Sequence, residues 1–261
     1  MPIDVGVDQA APFFAVFFRQ GISADLFKYP EKPVCFLNAD GSSILSWGTI
    51  YMKKALILGC SHAVGAEMFK EPGLIFDDFA AEDNYELTHC YPAQIAQALG
   101  CNAINRGISG GSNDAVFRLF LEETLTPNDI VIACWTGVNR SEIHDNQWIP
   151  LAPGAVPADV DSDYFKHWLL YSANTDVGLL NKTKNILALN ALAHARGIQV
   201  INIDSFWPVP DIVWPSSIHW PVAVDFMTWC QQHNFPHTDW GHFFKPAHDS
   251  FAQHVLQNLS A

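Results

Sequence analysis

From Lys54 onward, short apolar runs alternate with longer segments of helical periodicity. Parallel strands need crossover connections of a dozen or more residues, and helices usually supply them. The alternation therefore predicts an α/β fold, a three-layer α/β/α sandwich around a mainly parallel sheet. The predicted strands are 54–58, 102–105, 130–135 and 199–203, and the predicted helices are 92–99, 113–124, 182–195, 222–233 and 246–259.

Residues 1–51 have a different character, because they are rich in aromatic residues and carry turn signals without helical periodicity. They are interpreted either as a small β-type extension or as a segment preceding a natural start at Met52. The main domain is predicted to span 52–261. Within it, the proline- and aromatic-rich stretch 141–181 breaks the alternation. We expect an insertion there, acting as a lid or binding surface over the sheet or packing as an ordinary excursion.

The composition indicates a chain with a core of domain size and argues against some classes of partner. A chain of 261 residues with 49% hydrophobic residues buries a core of domain size. Its net charge of -13, with no basic run longer than two residues, argues against nucleic acid as a partner. The apolar run at 10–18 is too short to span a bilayer and follows acidic residues, so we expect no membrane insertion and a cytoplasmic location. The 6 cysteines form no CxxC pair, which favours buried free thiols.

Two distant motifs supply the parts of a catalytic triad. Ser61, in Gly59-Cys60-Ser61-His62, follows a predicted strand and opens a predicted turn into a helix. Near the other end, Asp239-Trp240-Gly241-His242 places an acid and an imidazole three positions apart. A serine hydroxyl needs an imidazole to accept its proton and a carboxylate to orient that imidazole. Either motif by itself is weak evidence, since Ser61 alone also fits a helix N-cap.

Two further motifs follow strand ends and carry hydrogen-bond donors. Gly107 lies in the glycine-rich turn after the second strand, and Asn139 follows the third. The backbone N–H of Ser61, the N–H of Gly107 and the side-chain amide of Asn139 together predict an oxyanion hole. The glycines also fit a tight turn before a helix capped by Ser112 or Asn113.

With these motifs, the chain resembles the SGNH (GDSL-type) hydrolase superfamily over about residues 52–261. The resemblance implies a flavodoxin-like sheet and metal-independent hydrolysis of acyl esters, often acetyl groups on carbohydrates or lipids, without a cofactor. By position it implies Ser61, Asp239 and His242 as the triad, with Ser61, Gly107 and Asn139 as oxyanion donors. Two positions depart from the family: Cys60 replaces the Asp of Gly-Asp-Ser, and Arg140 replaces an Asp of the third block. Both are candidates for contact with substrate, and Arg140 favours an acidic one.

The sequence leaves three other interpretations open. An inactive carbohydrate-binding or structural protein on the same scaffold fits the abundance of tryptophan, and an O-acyltransferase would use the same triad. A metal site is a third interpretation, because His237, Asp239, His242 and His248 lie close together in sequence. The expected partner is a small-molecule or glycan ester, and no motif encodes an oligomeric state.

Overall fold

The structure, a computed structural model, describes residues 52–153, 161–171, 173, 175–206, 208 and 214–259, and the backbone of two earlier strands. The chain divides into two compact units, 1–51 and 52–261. In the first unit, β1 (Val34–Leu37) and β2 (Ser43–Ser46) pair antiparallel. These strands flank the turn signal at 38–41.

The second unit alternates strands and helices along most of its length. Its elements are β3 (Lys54–Leu58), α1 (Ser61–Val64), a 3-10 turn (Met68–Lys70), α2 (Phe79–His89), α3 (Tyr91–Ala98), β4 (Asn102–Asn105), α4 (Asn113–Glu122), β5 (Ile130–Trp135), β6 (Ser141–Asp145), β7 (Gln147–Leu151), α5 (Ser162–Tyr171), α6 (Thr175–Ala195), β8 (Gln199–Asp204), α7 (Phe226–Gln232) and α8 (Lys245–Leu259).

Four strands form the central sheet, which is wholly parallel and has the order β4-β3-β5-β8. Both neighbours of β3 follow it in sequence, so the chain reverses its direction of winding at β3 and β5. In open α/β sheets, ligands bind beyond the carboxyl ends of the strands at such a reversal. The loops after β3 and β5 carry Ser61 and Asn139, respectively.

Two apolar clusters cover opposite faces of the sheet, because side chains alternate between faces along each strand. On β3, Ala55 and Ile57 face one cluster, which α3, α7 and α8 complete. Leu56 and Leu58 face the other cluster, which α4 and α6 complete. This arrangement confirms the predicted α/β/α sandwich with a mainly parallel sheet.

The predicted strands agree with the structure to within one residue. The stretch 141–181 contains the antiparallel hairpin β6–β7, helix α5 and the first turns of α6. Residues 154–160, 172 and 174 of this stretch lie outside the described part. Five cysteines are free and buried, namely Cys60, Cys90, Cys101, Cys134 and Cys230. Within the described segments, no helix is both long and apolar enough to cross a membrane.

Candidate active site

Ser61 lies at the carboxyl edge of the sheet, as the first residue of α1. The turn that leads to it is tight at Gly59, where a Cβ would lie 2.6 Å from the Cβ of Ala63 and 2.8 Å from that of Cys134. As the first helical residue, Ser61 has a backbone N–H with no acceptor inside the helix. Its side chain is 3% exposed and forms no hydrogen bond with any other described residue. Ser61 therefore offers a hydroxyl and an N–H at one point of the sheet edge.

The imidazole of His242 is held by an acid that the motif did not predict. Its Nδ1 lies 3.0 Å from Oε2 of Glu67, and the Thr238 hydroxyl donates to the same oxygen over 2.6 Å. The backbone N–H of His242 donates to that hydroxyl over 3.3 Å. Because an ionised carboxylate only accepts, Nδ1 must carry the proton. In the neutral form of this imidazole, Nε2 is the nitrogen that can accept a proton, as a general base requires.

Glu67 is ionised at neutral pH. Burial raises the pKa of its carboxyl group, but hydrogen bonds from Lys70, Thr238 and His242 outweigh burial and lower it to about 2. Its backbone adopts a left-handed conformation, with φ of 66°, which is uncommon for a residue other than glycine. Backbone strain of this kind persists where surrounding contacts hold it, often at functional sites.

Asp239 lies apart from His242, at the exposed tip of the turn 238–242. The Thr238 N–H donates to the His242 carbonyl over 2.8 Å, and the Gly241 N–H donates to the Thr238 carbonyl over 2.9 Å. Gly241 permits this closure with its φ of 77°. Asp239 has no ion pair or hydrogen bond with a described residue. Glu67 thus occupies the place at Nδ1 that the sequence predicts for Asp239.

A second imidazole, His62, packs beside His242, with ring centroids 5.4 Å apart. Burial lowers the pKa of His62 well below its ordinary value, and the nearby charges of His242, His248 and Arg140 act in the same direction. His62 is therefore neutral, and its buried Nδ1 has no hydrogen-bond partner in the described part. It forms a wall between the His242 ring and the aromatic core.

His248 lies inside the core, where its Nδ1 accepts the Tyr91 N–H over 3.1 Å. This contact gives it a role in the packing of the fold. Burial lowers the pKa of His248 to about 3. Among the described residues, no group of three or more His, Cys, Asp or Glu side chains could hold a metal ion. The histidines and Asp239 near His242 therefore do not form such a cluster.

Of the two predicted oxyanion donors outside Ser61, only the Asn139 amide makes no hydrogen bond to a described residue. The N–H of Gly107 donates to Oδ1 of Asn105 over 3.0 Å, and Nδ2 of Asn105 donates to the Ala63 carbonyl over 3.0 Å. Gly107 thus packs the second motif against α1, where its Cβ would lie 2.6 Å from Val64. Asn139 is partly exposed, and its amide has no hydrogen bond among the described residues.

The loop that carries Asn139 is fixed from two sides. The Thr136 N–H donates to Oδ1 of Asn113 over 2.9 Å, which ties the loop to the start of α4. On the other side, Gly178 of α6 approaches so closely that a Cβ there would lie 1.8 Å from the Val138 carbonyl oxygen. These contacts hold Asn139 on packed elements, as a preorganised donor requires.

The two departures from the family have different surroundings. Cys60 is fully buried beside Cys134 and Tyr91, and its contact with a substrate stays a prediction. Arg140 stacks its guanidinium 5.0 Å above the centroid of the Phe206 ring. Its Nη1 is buried without a hydrogen-bond partner in the described part of the chain.

Comparisons with known proteins give few matches. No family model matches the chain, and no curated protein matches it. One similar solved structure is described as a lipolytic protein of the G-D-S-L family from Desulfitobacterium hafniense, at 15% identity and a TM-score of 0.42, covering 79% of this chain and 99% of that one. Another is described as an acylhydrolase from Bacteroides fragilis, at 14% identity and a TM-score of 0.38, covering 80% and 86%. These likenesses assign no activity and no residue role to this chain. In its motifs and its mainly parallel sheet, the chain resembles the SGNH hydrolases.

Proposed function

We propose that this chain is a serine hydrolase that acts on ester bonds, with Ser61 as nucleophile, His242 as general base and Glu67 as the acid that orients it. The contact between Nδ1 of His242 and the Glu67 carboxylate carries the proposal. It selects the tautomer whose Nε2 accepts a proton, and it stabilises the imidazolium that forms. Asp239, exposed and unpaired within the described segments, is not needed for this role.

In the proposed reaction, Ser61 attacks the ester carbonyl while its proton passes to Nε2 of His242. The tetrahedral intermediate collapses when His242 returns that proton to the leaving alcohol, and an acyl-Ser61 intermediate remains. Water then attacks the acyl group with His242 again as base, which releases the acid and restores the serine. Each step needs His242 to rest with Nε2 free, as its contact with Glu67 provides.

The oxyanion donors in this proposal are the Ser61 N–H and the Asn139 amide. Both lie at the carboxyl edge of the sheet, just after the two strands where the winding reverses. The proposal leaves out the Gly107 N–H, because it donates to Oδ1 of Asn105. One such donor typically contributes ~3 kcal/mol to stabilisation of the transition state.

For the substrate, we propose a small acyl group, acetyl first, on a carbohydrate carrier. The support is Trp240, which is 75% exposed and lies two residues before the proposed base. An exposed indole provides a flat apolar face of the kind on which sugar rings stack.

The test compares wild-type protein with Ser61→Ala in the hydrolysis of p-nitrophenyl acetate and in labelling by a fluorophosphonate. Ser109→Ala is the matched control, because Ser109 is an exposed serine in the neighbouring motif. We expect activity and label to disappear only with Ser61, with mass spectrometry locating the adduct on that residue. Equal activity in all three proteins, without an adduct on Ser61, contradicts the proposal and favours a binding protein on this scaffold.

A further inference from the structure

A groove of about 460 Å³ lies between the loop after β5, the β6–β7 hairpin and helices α5 and α6. Its volume is in the range of small-molecule sites. Part of its wall is apolar and aromatic, formed by Ile143, Tyr164, Trp168 and Leu180. Three of these four side chains belong to α5 and α6, within the stretch that departs from the strand–helix alternation.

The charged groups in the groove leave a positive balance. Arg140 and Lys184 line it, and neither forms an ion pair with any described residue. Glu142 is the single acidic residue among the described lining residues, and Arg118 binds both of its carboxylate oxygens, over 3.0 and 2.9 Å. A cationic groove on a chain of net charge -13 runs against the overall field. Such a local reversal favours an anionic ligand at that point.

Arg140 connects the groove to the proposed catalytic residues. Its guanidinium stacks on Phe206, and the Phe206 ring lies 4.7 Å from the ring of His62, the neighbour of Ser61 in sequence. Asn139, the proposed oxyanion donor, lines the same groove. The groove therefore adjoins one of the groups proposed to contact the ester.

From these contacts we infer that the groove binds an anionic group, of carboxylate type, on the alcohol part of the ester substrate, with the guanidinium of Arg140 as its main partner. The inference rests on the proposed function for the position of the ester. If the acyl group is small, the part of the ester that occupies the groove is its alcohol part. The aromatic wall of the groove fits an alcohol part that is flat or cyclic. A guanidinium fork binds planar carboxylates in two-point geometry, and Arg140 lines the groove without an ion pair to any described residue.

The kinetic test uses two acetyl esters that differ in one charge, 4-acetoxybenzoate and 4-acetoxybenzamide. The preference is the ratio of their kcat/KM values. We expect Arg140→Gln to lower the preference about tenfold to a hundredfold, and Lys184→Gln to lower it about twofold to threefold, since Lys184 is exposed. Lys166→Gln is the control, because Lys166 lies on α5 outside the groove and pairs with Asp163. The control removes the same charge and is expected to keep the wild-type preference.

Equal preference in wild-type protein, Arg140→Gln and Lys184→Gln overturns the inference, as does an equal loss in Lys166→Gln. A charge preference seen only when the carboxylate is on the acyl side, in 4-nitrophenyl glutarate against 4-nitrophenyl valerate, overturns it as well. Binding of 4-acetoxybenzoate to Ser61→Ala protein, followed by ligand-observed NMR, separates this inference from the proposed function. Binding that depends on Arg140 without any wild-type hydrolysis rejects the hydrolase and keeps the anion site. Hydrolysis without charge preference keeps the hydrolase and rejects the site.

Discussion

Replacing Glu67 by Gln tests which acid orients the proposed base. The variant keeps the shape of the side chain but removes its charge, and its amide can donate to Nδ1 of His242. Donation to Nδ1 would stabilise the tautomer with the proton on Nε2, which cannot accept the serine proton. The corresponding Asp→Asn exchange in the serine-protease triad lowers kcat about 10⁴-fold. Because the Glu67 side chain keeps 16% exposure, we expect a smaller loss, on the order of 10²- to 10³-fold.

The structure also bounds the effect on stability. A fall in the pKa of Glu67 from 4.5 to about 2 corresponds to roughly 3 kcal/mol before solvent screening. Lys70 is 48% exposed, so solvent screens its contribution to this free energy. The contribution of Thr238 and His242 is then about 1–2 kcal/mol. Because the folded pKa is depressed, this contribution is complete above pH 4.5 and is lost as the pH falls towards 2. The two proteins should therefore differ in unfolding free energy at pH 7 and converge in acid.

The assay measures kcat with p-nitrophenyl acetate and unfolding by urea, with Asp239→Asn as the matched variant. Asp239 is exposed and unpaired in the described structure, so its loss should change kcat less than about twofold. A larger loss of kcat in Asp239→Asn than in Glu67→Gln would refute the assignment and restore the triad predicted from sequence.

Three other variants test the remaining parts of the site and its support. Asn139→Ala should lower kcat about 10²- to 10³-fold with little change in KM, measured with p-nitrophenyl acetate, because an oxyanion donor acts mainly in the transition state; a change in KM alone contradicts that role. Burial raises the pKa of Glu86 to about 7, so its destabilising effect sets in above pH 4.5 and is complete above pH 7. Glu86→Gln should therefore raise stability at pH 8 by about 1 kcal/mol and leave it unchanged at pH 4, as thermal unfolding at both values would show. Lys182→Met should destabilise the fold by about 3–5 kcal/mol in urea, because it leaves Asp204, 2.6 Å away in the core, without its cation. Adding Asp204→Leu should recover most of that loss, and no recovery would mean that packing around Lys182 dominates.

The central strands were predictable because each is an apolar run with a clear end. All six residues of β5 are buried, and their sequence is the continuous apolar run that is typical of a strand covered on both faces. Helix α2 was not predicted, since none of its residues is buried and no apolar stripe marks it. The hairpin β6–β7 was also missed, because Pro150 lies within a strand and the turn depends on Asn146 in a left-handed conformation.

The candidate site was predictable where residues follow strand ends, as Ser61 and Asn139 do. Glu67 was not, because it is 175 positions from His242 and belongs to no motif that includes an acid. The spacing of Asp239 and His242 suggested a contact that the described structure does not contain. Gly107 shows the same limit, since a glycine after a strand offers an N–H, but sequence does not reveal that Asn105 accepts it.

The contact between Glu67 and His242 also bears on when the proposed site is completed during synthesis. It joins residues 175 positions apart, and the neighbouring contact between Tyr91 and His248 spans 157. Chains emerge from the ribosome at about 5–20 residues per second, so roughly ten to thirty seconds separate the two halves of the catalytic pair. A nascent chain with Ser61 already folded at its strand end still lacks the proposed base. The growing polypeptide thus cannot complete the proposed hydrolase site until its late segment docks.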